Sequence, residues 1–457
     1  MAPNIILIIT DHFRKDAPGK HTPNLMNLAD RGALFHNAYC ASPLCQPARN
    51  SIITGLHNFQ HGVCGNMNPP ISEQIRNDTF MHHLQKAGYY TAMIGKHHYI
   101  DRYGIGMDVK EDHDTVCAYG FDHVTQILDD GETRHNDDDY TAYLEEQGKL
   151  KQYRDSFTTH LSKYKHPFEE DETADGFIGK KGIEFVEQYS EDRPFYLNIG
   201  FLAPHPPLWH PGESCVRPED TDPPLASDDA EYAQMRRSHY AEKCAIVDRY
   251  VGKLTALLEQ KDLTDNTMII FTSDHGDNLG DYGIWDKRFF YEQSAGVPLI
   301  MAGPGIPRGA RDLRRKDAKA LVSHVDLYPT ILKIAGADED SYSDKPGMDI
   351  LDMLTEKKNA LRTQIVSTLG TAVMIRTGNW KLVFDPEQGG VQHLYNMVSD
   401  PREQDNLAGK AGYEQAAADL IRKLLAHRIK LTQFTHDKEQ QRVQRFAELS
   451  DLEKHDC

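Results

Sequence analysis

Cys45-Gln46-Pro47-Ala48-Arg49 sets a cysteine two residues before a proline and four before an arginine. That spacing reads as more than an ordinary thiol, although the five residues alone fit a buried free cysteine ahead of a proline-started helix equally well. Other residues able to do chemistry follow apolar runs. Asp11-His12 follows Asn4–Thr10, and Lys96-His97-His98 follows Thr91–Ile94 after Gly95. His205, between Pro204 and Pro206, follows Phe195–Phe201, and Asp274-His275-Gly276 follows Met268–Thr272. Each alone has a structural explanation: Asp11 as a helix cap, His205 as a packed loop histidine, Asp274-His275 as turn chemistry. Jointly they would bring carboxylates, imidazoles and an ammonium to one edge. Asp11, Asp274 and His275 offer two hard oxygen ligands and one nitrogen, a set suited to one divalent cation with positions left for substrate.

Such residues need strands to deliver them. Strand-like runs at Asn4–Thr10, Ala33–Tyr39, Thr91–Ile94, Phe195–Phe201, Met268–Thr272 and Pro298–Ala302 alternate with helical stretches. The pattern predicts an α/β fold with a large mixed, mostly parallel sheet sandwiched by helices. In open sheets of this kind ligands bind beyond the carboxyl ends of the strands, where the polar residues fall. Thr22-Pro23 starts a helix that Gly32 stops, Asp78-Thr79 starts another that Gly88 stops, and Thr173–Tyr189 and Glu231–Gln260 are the longest helical stretches. Gly104–Pro167 is rich in Asp, His and Gly with weak periodicity, and reads as an insertion of loops near the ligand face.

Beyond about residue 360, short strands at Gln364–Thr368, Ala372–Arg376 and Lys381–Phe384, then a helix from about Tyr413, predict a small antiparallel-sheet subdomain. The chain divides on this reading into a main domain, 1–360, and a C-terminal subdomain, 361–457. The charged tail Thr435–Cys457 is either solvated or a helix reaching a neighbouring subunit.

With 457 residues the chain suits one large domain plus a smaller one. A formal net charge of −18 disfavours a nucleic-acid or anionic-membrane surface, so an anionic substrate would need a locally basic pocket. No run is long and apolar enough to span a membrane. Met1-Ala2-Pro3 leads into Asn4–Thr10 with no basic n-region and no small-residue cleavage site, so a cytoplasmic protein is expected. The seven cysteines (Cys40, Cys45, Cys64, Cys117, Cys215, Cys244, Cys457) are odd in number and scattered, with no CxxC pair. That fits a reducing compartment rather than a disulfide framework or a zinc ribbon.

Cys45–Arg49 followed by Asn50-Ser51-Ile52-Ile53-Thr54-Gly55 resembles the sulfatase signature, and the chain is similar to the formylglycine sulfatases of the alkaline-phosphatase superfamily. Further matches run in the family's order over about residues 4–410: Asn4–Asp11, Thr22–Leu25, His61-Gly62-Val63, Ala87–His98, Pro204-His205-Pro206, Ser273–Gly276, Gly283–Glu292, Ser323–Thr330, and Leu394-Tyr395 with Asp400-Pro401.

The resemblance implies that a maturase oxidises Cys45 to formylglycine, whose hydrated form is the nucleophile. One hydroxyl of the geminal diol attacks sulfur and the other expels sulfate, so no water attacks the ester. Cys45 would sit at a helix N-terminus, which favours anions. Asp11, Asp274, His275 and the modified Cys45 side chain would hold the metal. Arg49, with the metal, would lower the diol's pKa and orient it, and Asp274 is a candidate to take the attacking proton. Lys96 and Lys287 would bind the nonbridging oxygens. His205, helped by Lys287, would protonate the departing alcohol, and His98 would take a proton from the remaining hydroxyl to release sulfate. Asn66 is a further substrate-binding candidate.

The chain departs from the family pattern in one place. Many members carry two adjacent aspartates after the first strand and an asparagine after the later one, where this chain has Asp11-His12 and Asp274-His275. One fewer carboxylate weakens the case for calcium, the ion the resemblance implies, and leaves manganese open. It also moves the site toward the related phosphonate monoester hydrolases, whose first-strand motif has a single Asp, whereas Lys96 and His98 favour sulfate esters. The expectation is hydrolysis of a small-molecule or saccharide sulfate monoester. The rival on the same scaffold is a phosphonate monoester or phosphodiester hydrolase. A metal- or anion-binding protein without turnover is the outcome if Cys45 is never oxidised. The Gly104–Pro167 insertion and the Trp209–Pro224 loop would shape the pocket without naming the alcohol, and a homo-oligomer stays open.

Overall fold

The computed structural model describes residues 2–101, 105–159, 164–306, 321–354 and 362–431. Strand β1 (Asn4–Asp11) is buried at every position, so its apolar run does not alternate with polar residues, the mark of a strand covered on both faces. The main sheet has the order β2 (Ala33–Leu34), β8 (Leu299–Ala302), β7 (Thr267–Ser273), β1, β6 (Phe195–Pro204), β4 (Tyr90–Gly95), β5 (His123–Gln126). Strands β7, β1, β6, β4 and β5 run parallel, β8 is antiparallel to β7, and β2 is antiparallel to β8. A mixed, mostly parallel sheet is therefore what forms.

The period of two along β1 sends Ile5, Leu7 and Ile9 to one face and Ile6 and Ile8 to the other. The first group shares a core with Ile52, Phe80 and Tyr328, the second with Ile178, Tyr250 and Leu254. Those partners lie on the helices Cys45–Thr54, Phe80–Lys86 and Leu327–Ile334 on one side, and Ala174–Gln188 and Ala230–Gln260 on the other. Burying each of these large apolar side chains stabilises the fold by roughly 1.5–3 kcal/mol. Both helical layers are thereby held against the sheet, and the carboxyl ends of β1, β4, β6 and β7 meet at one edge.

A second sheet, antiparallel throughout, runs β10 (Gln364–Leu369), β11 (Ala372–Thr377), β12 (Trp380–Asp385), β13 (Gly390–Asn396). Ile365, Met374 and Val383 on one face join the main core. Val366, Ile375, Leu382 and Leu394 on the other meet Leu420 and Leu424 of a helix spanning 414–431. Among the described residues no helix is long and apolar enough to cross a membrane, and Cys40, Cys45, Cys64, Cys117, Cys215 and Cys244 are free.

Two segments differ from expectation. Ala33–Tyr39 is not one strand: a turn at His36-Asn37 divides it into β2, paired with β8, and β3 (Ala38–Tyr39), paired with β9 (Val322–Ser323). Among its described residues, Gly104–Pro167 is more than loops. It supplies β5 to the main sheet and the helices Asp139–Glu146 and Leu150–Thr159, which bury Tyr140, Leu144 and Tyr153. Strand β13, whose residues are mostly half-buried and show no clean apolar alternation, completes the small sheet. The tail Thr435–Cys457 lies outside the described residues.

Candidate active site

Cys45 is the first residue of the helix Cys45–Thr54 and Arg49 lies about one turn on, so their side chains share a face. Pro47 falls in the first turn, where an N–H would have no intrahelical partner. The Gln46 N–H, equally without one, donates to Asn66 Oδ1 at 3.0 Å. Asn66 thus caps the helix that carries Cys45.

Lys96 enters the site because two glycines let strand ends close. Gly95 has φ +108°; a Cβ there would lie 2.1 Å from the Gly200 carbonyl oxygen, and one on Gly200 would lie 2.1 Å from that of Lys96. Only residues without a Cβ permit that approach. His205 is held from below. Asp175 Oδ1 accepts from the N–H groups of Leu202 and Ala203, both at 2.9 Å, and Lys243 Nζ donates to the carbonyls of His205 and Pro207 at 3.0 and 3.2 Å.

These elements converge on Cys45. Its Sγ lies 3.0 Å from Lys287 Nζ, 3.2 Å from His275 Nε2 and 3.8 Å from Asp11 Oδ1. Arg49 donates to Asp274 Oδ2 at 2.8 Å, to the Lys96 carbonyl at 2.8 Å and to Asp11 Oδ2 at 3.5 Å. Lys96 Nζ stands 2.6 Å from Asp11 Oδ2. Lys287 Nζ also donates to His205 Nε2 at 3.3 Å, while His205 Nδ1 faces the Pro206 carbonyl at 2.5 Å. His98 Nε2 faces Asp101 Oδ2 at 3.2 Å, and its Nδ1 is buried without a hydrogen-bond partner. Asp11, Cys45, Arg49, Lys96, His98, His205, Asp274, His275 and Lys287 therefore come together as the sequence suggested. Asn66 stands beside them in a supporting position.

Charge in this buried cluster is tightly arranged. Burial and the Asp11 charge push the Cys45 thiol up, but Lys287, Lys96 and His275 outweigh them and hold it well below the ordinary thiol range. Burial opposes ionisation of Asp11, yet Lys96 and the neighbouring cations hold its carboxyl well below the usual carboxylate range. Asp274 is pushed up by burial and by Asp11. Burial opposes the charged form of His275, but Asp274 and Cys45 raise it to about 9. Burial likewise opposes charge on His98, and the hydrogen bond to Asp101 and the nearby Cys45 charge together raise it to about 9.

Three contributors had no assigned role in the sequence. His12 Nδ1 lies 2.9 Å from Asp277 Oδ2 and its Nε2 accepts from Lys287 Nζ at 2.7 Å. Burial, then Lys287, holds His12 well below the ordinary imidazole range, so a neutral ring passes orientation from Asp277 to Lys287. Asp129, from the segment after β5, pairs with Lys96 through both oxygens at 2.6 and 2.5 Å. For Asp277 a signal existed in its position three residues beyond Asp274. For Asp129 it lay in an aspartate pair just beyond a strand whose pattern was too short to read.

Asp11, Cys45, Asp274 and His275 place one ligand atom each within 4.8 Å of one another, and all four residues are buried. Two carboxylates this close in a dry site repel unless a cation lies between them, which is the pressure felt in the raised Asp274. The donor set, two carboxylates and an imidazole, suits one divalent ion.

Comparison with known proteins bears on what this cluster does. The family model described as "Sulfatase" matches residues 3–337, and the one described as "N-sulphoglucosamine sulphohydrolase, C-terminal" matches residues 280–430. A choline-sulfatase of Rhizobium meliloti is 31% identical, over 89% of this chain and 82% of that protein. An arylsulfatase of Clostridium perfringens is 27% identical, over 93% and 94% of the two chains. The crystal structure of a phosphonate monoester hydrolase of Agrobacterium radiobacter superposes with a TM-score of 0.76 at 23% identity, covering 94% of this chain and 96% of that one, a likeness in fold.

Proposed function

The chain belongs to the sulfatase family of sulfuric ester hydrolases, and from that premise we propose that it cleaves a sulfate monoester at Cys45, using formylglycine at that position and one divalent ion held by Asp11, Asp274, His275 and the modified side chain. One observation carries this reading. In a chain of net charge −18, Lys287, Lys96 and Arg49 are gathered, buried, around a side chain at a helix N-terminus. When bound, the ion would supply Lewis-acid polarisation, and the formylglycine diol would supply the attacking and the expelling hydroxyl.

The chain's own residues do the rest. Lys96 and Lys287 bind the nonbridging oxygens, where donors fixed in a dry site stabilise developing charge without reorganising. Arg49, fixed by Asp274 and the Lys96 carbonyl, holds its charge against the side chain at position 45. His205, the more open of the site histidines beside Lys287, protonates the departing alcohol. His98 accepts the proton that releases sulfate, which requires its neutral ring. Part of what keeps that ring protonated is the nearby charge of Cys45, and that contribution disappears when the thiol is oxidised.

The kinship to a choline-sulfatase and an arylsulfatase supports a small sulfate ester, and a saccharide ester would use the same groups. Calcium is the ion the family resemblance supports, with manganese favoured by the His275 nitrogen. A second reading, phosphonate monoester hydrolysis, is favoured by the single aspartate at the end of β1. A formylglycine-generating maturase is a required partner in either case.

Peptide mass spectrometry at position 45, on protein made with an active maturase, is paired with kcat/KM for matched aryl sulfate and aryl phosphonate esters. Formylglycine and a preference for the sulfate are expected. Fast hydrolysis by a sample carrying only the thiol overturns the nucleophile. A strong preference for the phosphonate overturns the ester class, and formylglycine without any turnover makes the protein an anion binder.

A further inference from the structure

Asp129 puts a carboxylate against the group that is to bind the substrate anion. Its two oxygens lie 2.6 and 2.5 Å from Lys96 Nζ, on which Asp11 Oδ2 also sits at 2.6 Å. The Asp129 side chain is only 13% exposed, so water screens this charge weakly.

Its position is built rather than incidental. On one side the Leu128 N–H donates to Asp138 Oδ2 at 2.9 Å. On the other, the buried Asp130 carboxylate accepts from Trp209 Nε1 at 3.0 Å and from the Tyr153 hydroxyl at 3.1 Å. Thr133 Oγ1 closes the turn by donating to the Asp130 carbonyl at 2.9 Å. Residues 128 and 130 are therefore pinned, and the backbone between them presents Asp129 to Lys96. Any anion that engages Lys96 lies next to this fixed negative charge.

Resting on the reading of the site given above, we propose that Asp129 is a specificity-determining residue that selects the charge of the anion. It disfavours doubly charged phosphate monoesters against singly charged sulfate and phosphonate monoesters. The three esters have similar tetrahedral heads, so shape separates them poorly. Charge separates them well: a sulfate monoester carries one negative charge, whereas a phosphate monoester ionises a second time near pH 6. Lys96, Lys287 and Arg49 by themselves favour the dianion. A carboxylate on Lys96 offsets one of those cations and repels the second charge, the repulsive element that discrimination between near-isosteres requires.

The test uses the metal-loaded, formylglycine-bearing enzyme at pH 8, with aryl sulfate, aryl phosphonate monoester and aryl phosphate monoester sharing one leaving group. Asp129→Asn should raise the phosphate-to-sulfate ratio of kcat/KM by roughly 10- to 100-fold, with most of the change in KM for the phosphate. The phosphonate-to-sulfate ratio should stay within about threefold, because those substrates carry equal charge. Asp129→Glu, which keeps the charge, should retain the wild-type ratios. Asp129→Ser serves as a second neutral variant if Asp129→Asn does not fold. Equal changes on all three substrates would make Asp129 a structural partner of Lys96 and overturn the proposal. If the wild-type enzyme cleaves the phosphonate but not the sulfate, the sulfate reading fails separately. The phosphate-to-phosphonate ratio then still tests Asp129, and its failure to rise in Asp129→Asn would overturn the charge selection.

Discussion

Arg49 Nε donates to Asp274 Oδ2 at 2.8 Å, tying the Cys45 helix, one turn from its start, to the end of β7. The same guanidinium reaches the Lys96 carbonyl beyond β4 and Asp11 at the end of β1. One planar cation therefore fixes the helix against three strand ends. Its five donors in a rigid fork allow this where the single ammonium of a lysine would not.

Removing that fork should cost both stability and turnover. Arg49→Ala strands the buried Asp274 carboxylate, and breaking a buried pair from one side costs about 3–5 kcal/mol. Arg49→Lys restores a charge without the fork, so it should be less destabilised than Arg49→Ala yet nearly inactive. Urea unfolding midpoints and sulfate release measure the two effects. An Arg49→Ala protein with a wild-type midpoint would show that Asp274 is neutral or otherwise paired.

Chelation should abolish turnover and lower the melting temperature together, because an ion bound only by the folded state stabilises it by mass action. The thermal shift should be largely lost in Asp274→Asn, whose amide is a poorer ligand beside Asp11. Restoration by manganese but not calcium would assign the preference to the His275 nitrogen. A melting temperature indifferent to chelation and to both ions would remove the metal from this cluster.

The buried strands were legible because a doubly covered strand is written as an unbroken apolar run, and Asn4–Thr10 differs from observed β1 by one residue. The site was legible where chemistry sits immediately after such a run, as with Asp11, Lys96 and Asp274, or at helical spacing, as with Cys45 and Arg49. Asp129 was hidden because β5 is four residues long, begins at an exposed His123 and lies in a segment of mixed polarity. The His12–Lys287 contact was hidden for another reason: it joins residues 275 positions apart, and nothing local in either sequence calls for the other. The split of Ala33–Tyr39 was visible only in hindsight, in the polar pair His36-Asn37.

Asp175 supplies a pH dependence away from the reacting groups. Burial pushes its carboxyl up to about 6 in the folded protein, against which Lys243 and the two backbone N–H donors act only partly. A carboxyl raised in the folded state binds a proton that the unfolded chain has released. Its contribution is thus fully present below the ordinary value near 3.8, falls as pH rises, and is lost above about 6. The slope in that window approaches about 1.4 kcal/mol per pH unit. Asp175→Asn keeps an oxygen for the Leu202 and Ala203 N–H groups and removes the ionisation. Its stability relative to wild type should rise between pH 4 and pH 7, read as diverging urea midpoints. Parallel midpoints across that range would mean Asp175 ionises normally in the fold.

The leaving group gives the sharpest test of His205. Its Nδ1 is engaged by the Pro206 carbonyl, which leaves Nε2 beside Lys287 as the atom available to an incoming ester oxygen. Protonating that oxygen matters most when the departing alcohol is a weak acid, so loss of a general acid should cost about 10²–10⁴-fold on alkyl esters and far less on activated aryl esters. Rates for wild type and His205→Ala, plotted against the acidity of the leaving alcohol, should diverge, with the variant showing the steeper dependence. Parallel lines across leaving groups would instead make His205 a binding residue and pass the proton to Lys287, whose ammonium stands 3.3 Å from the same Nε2.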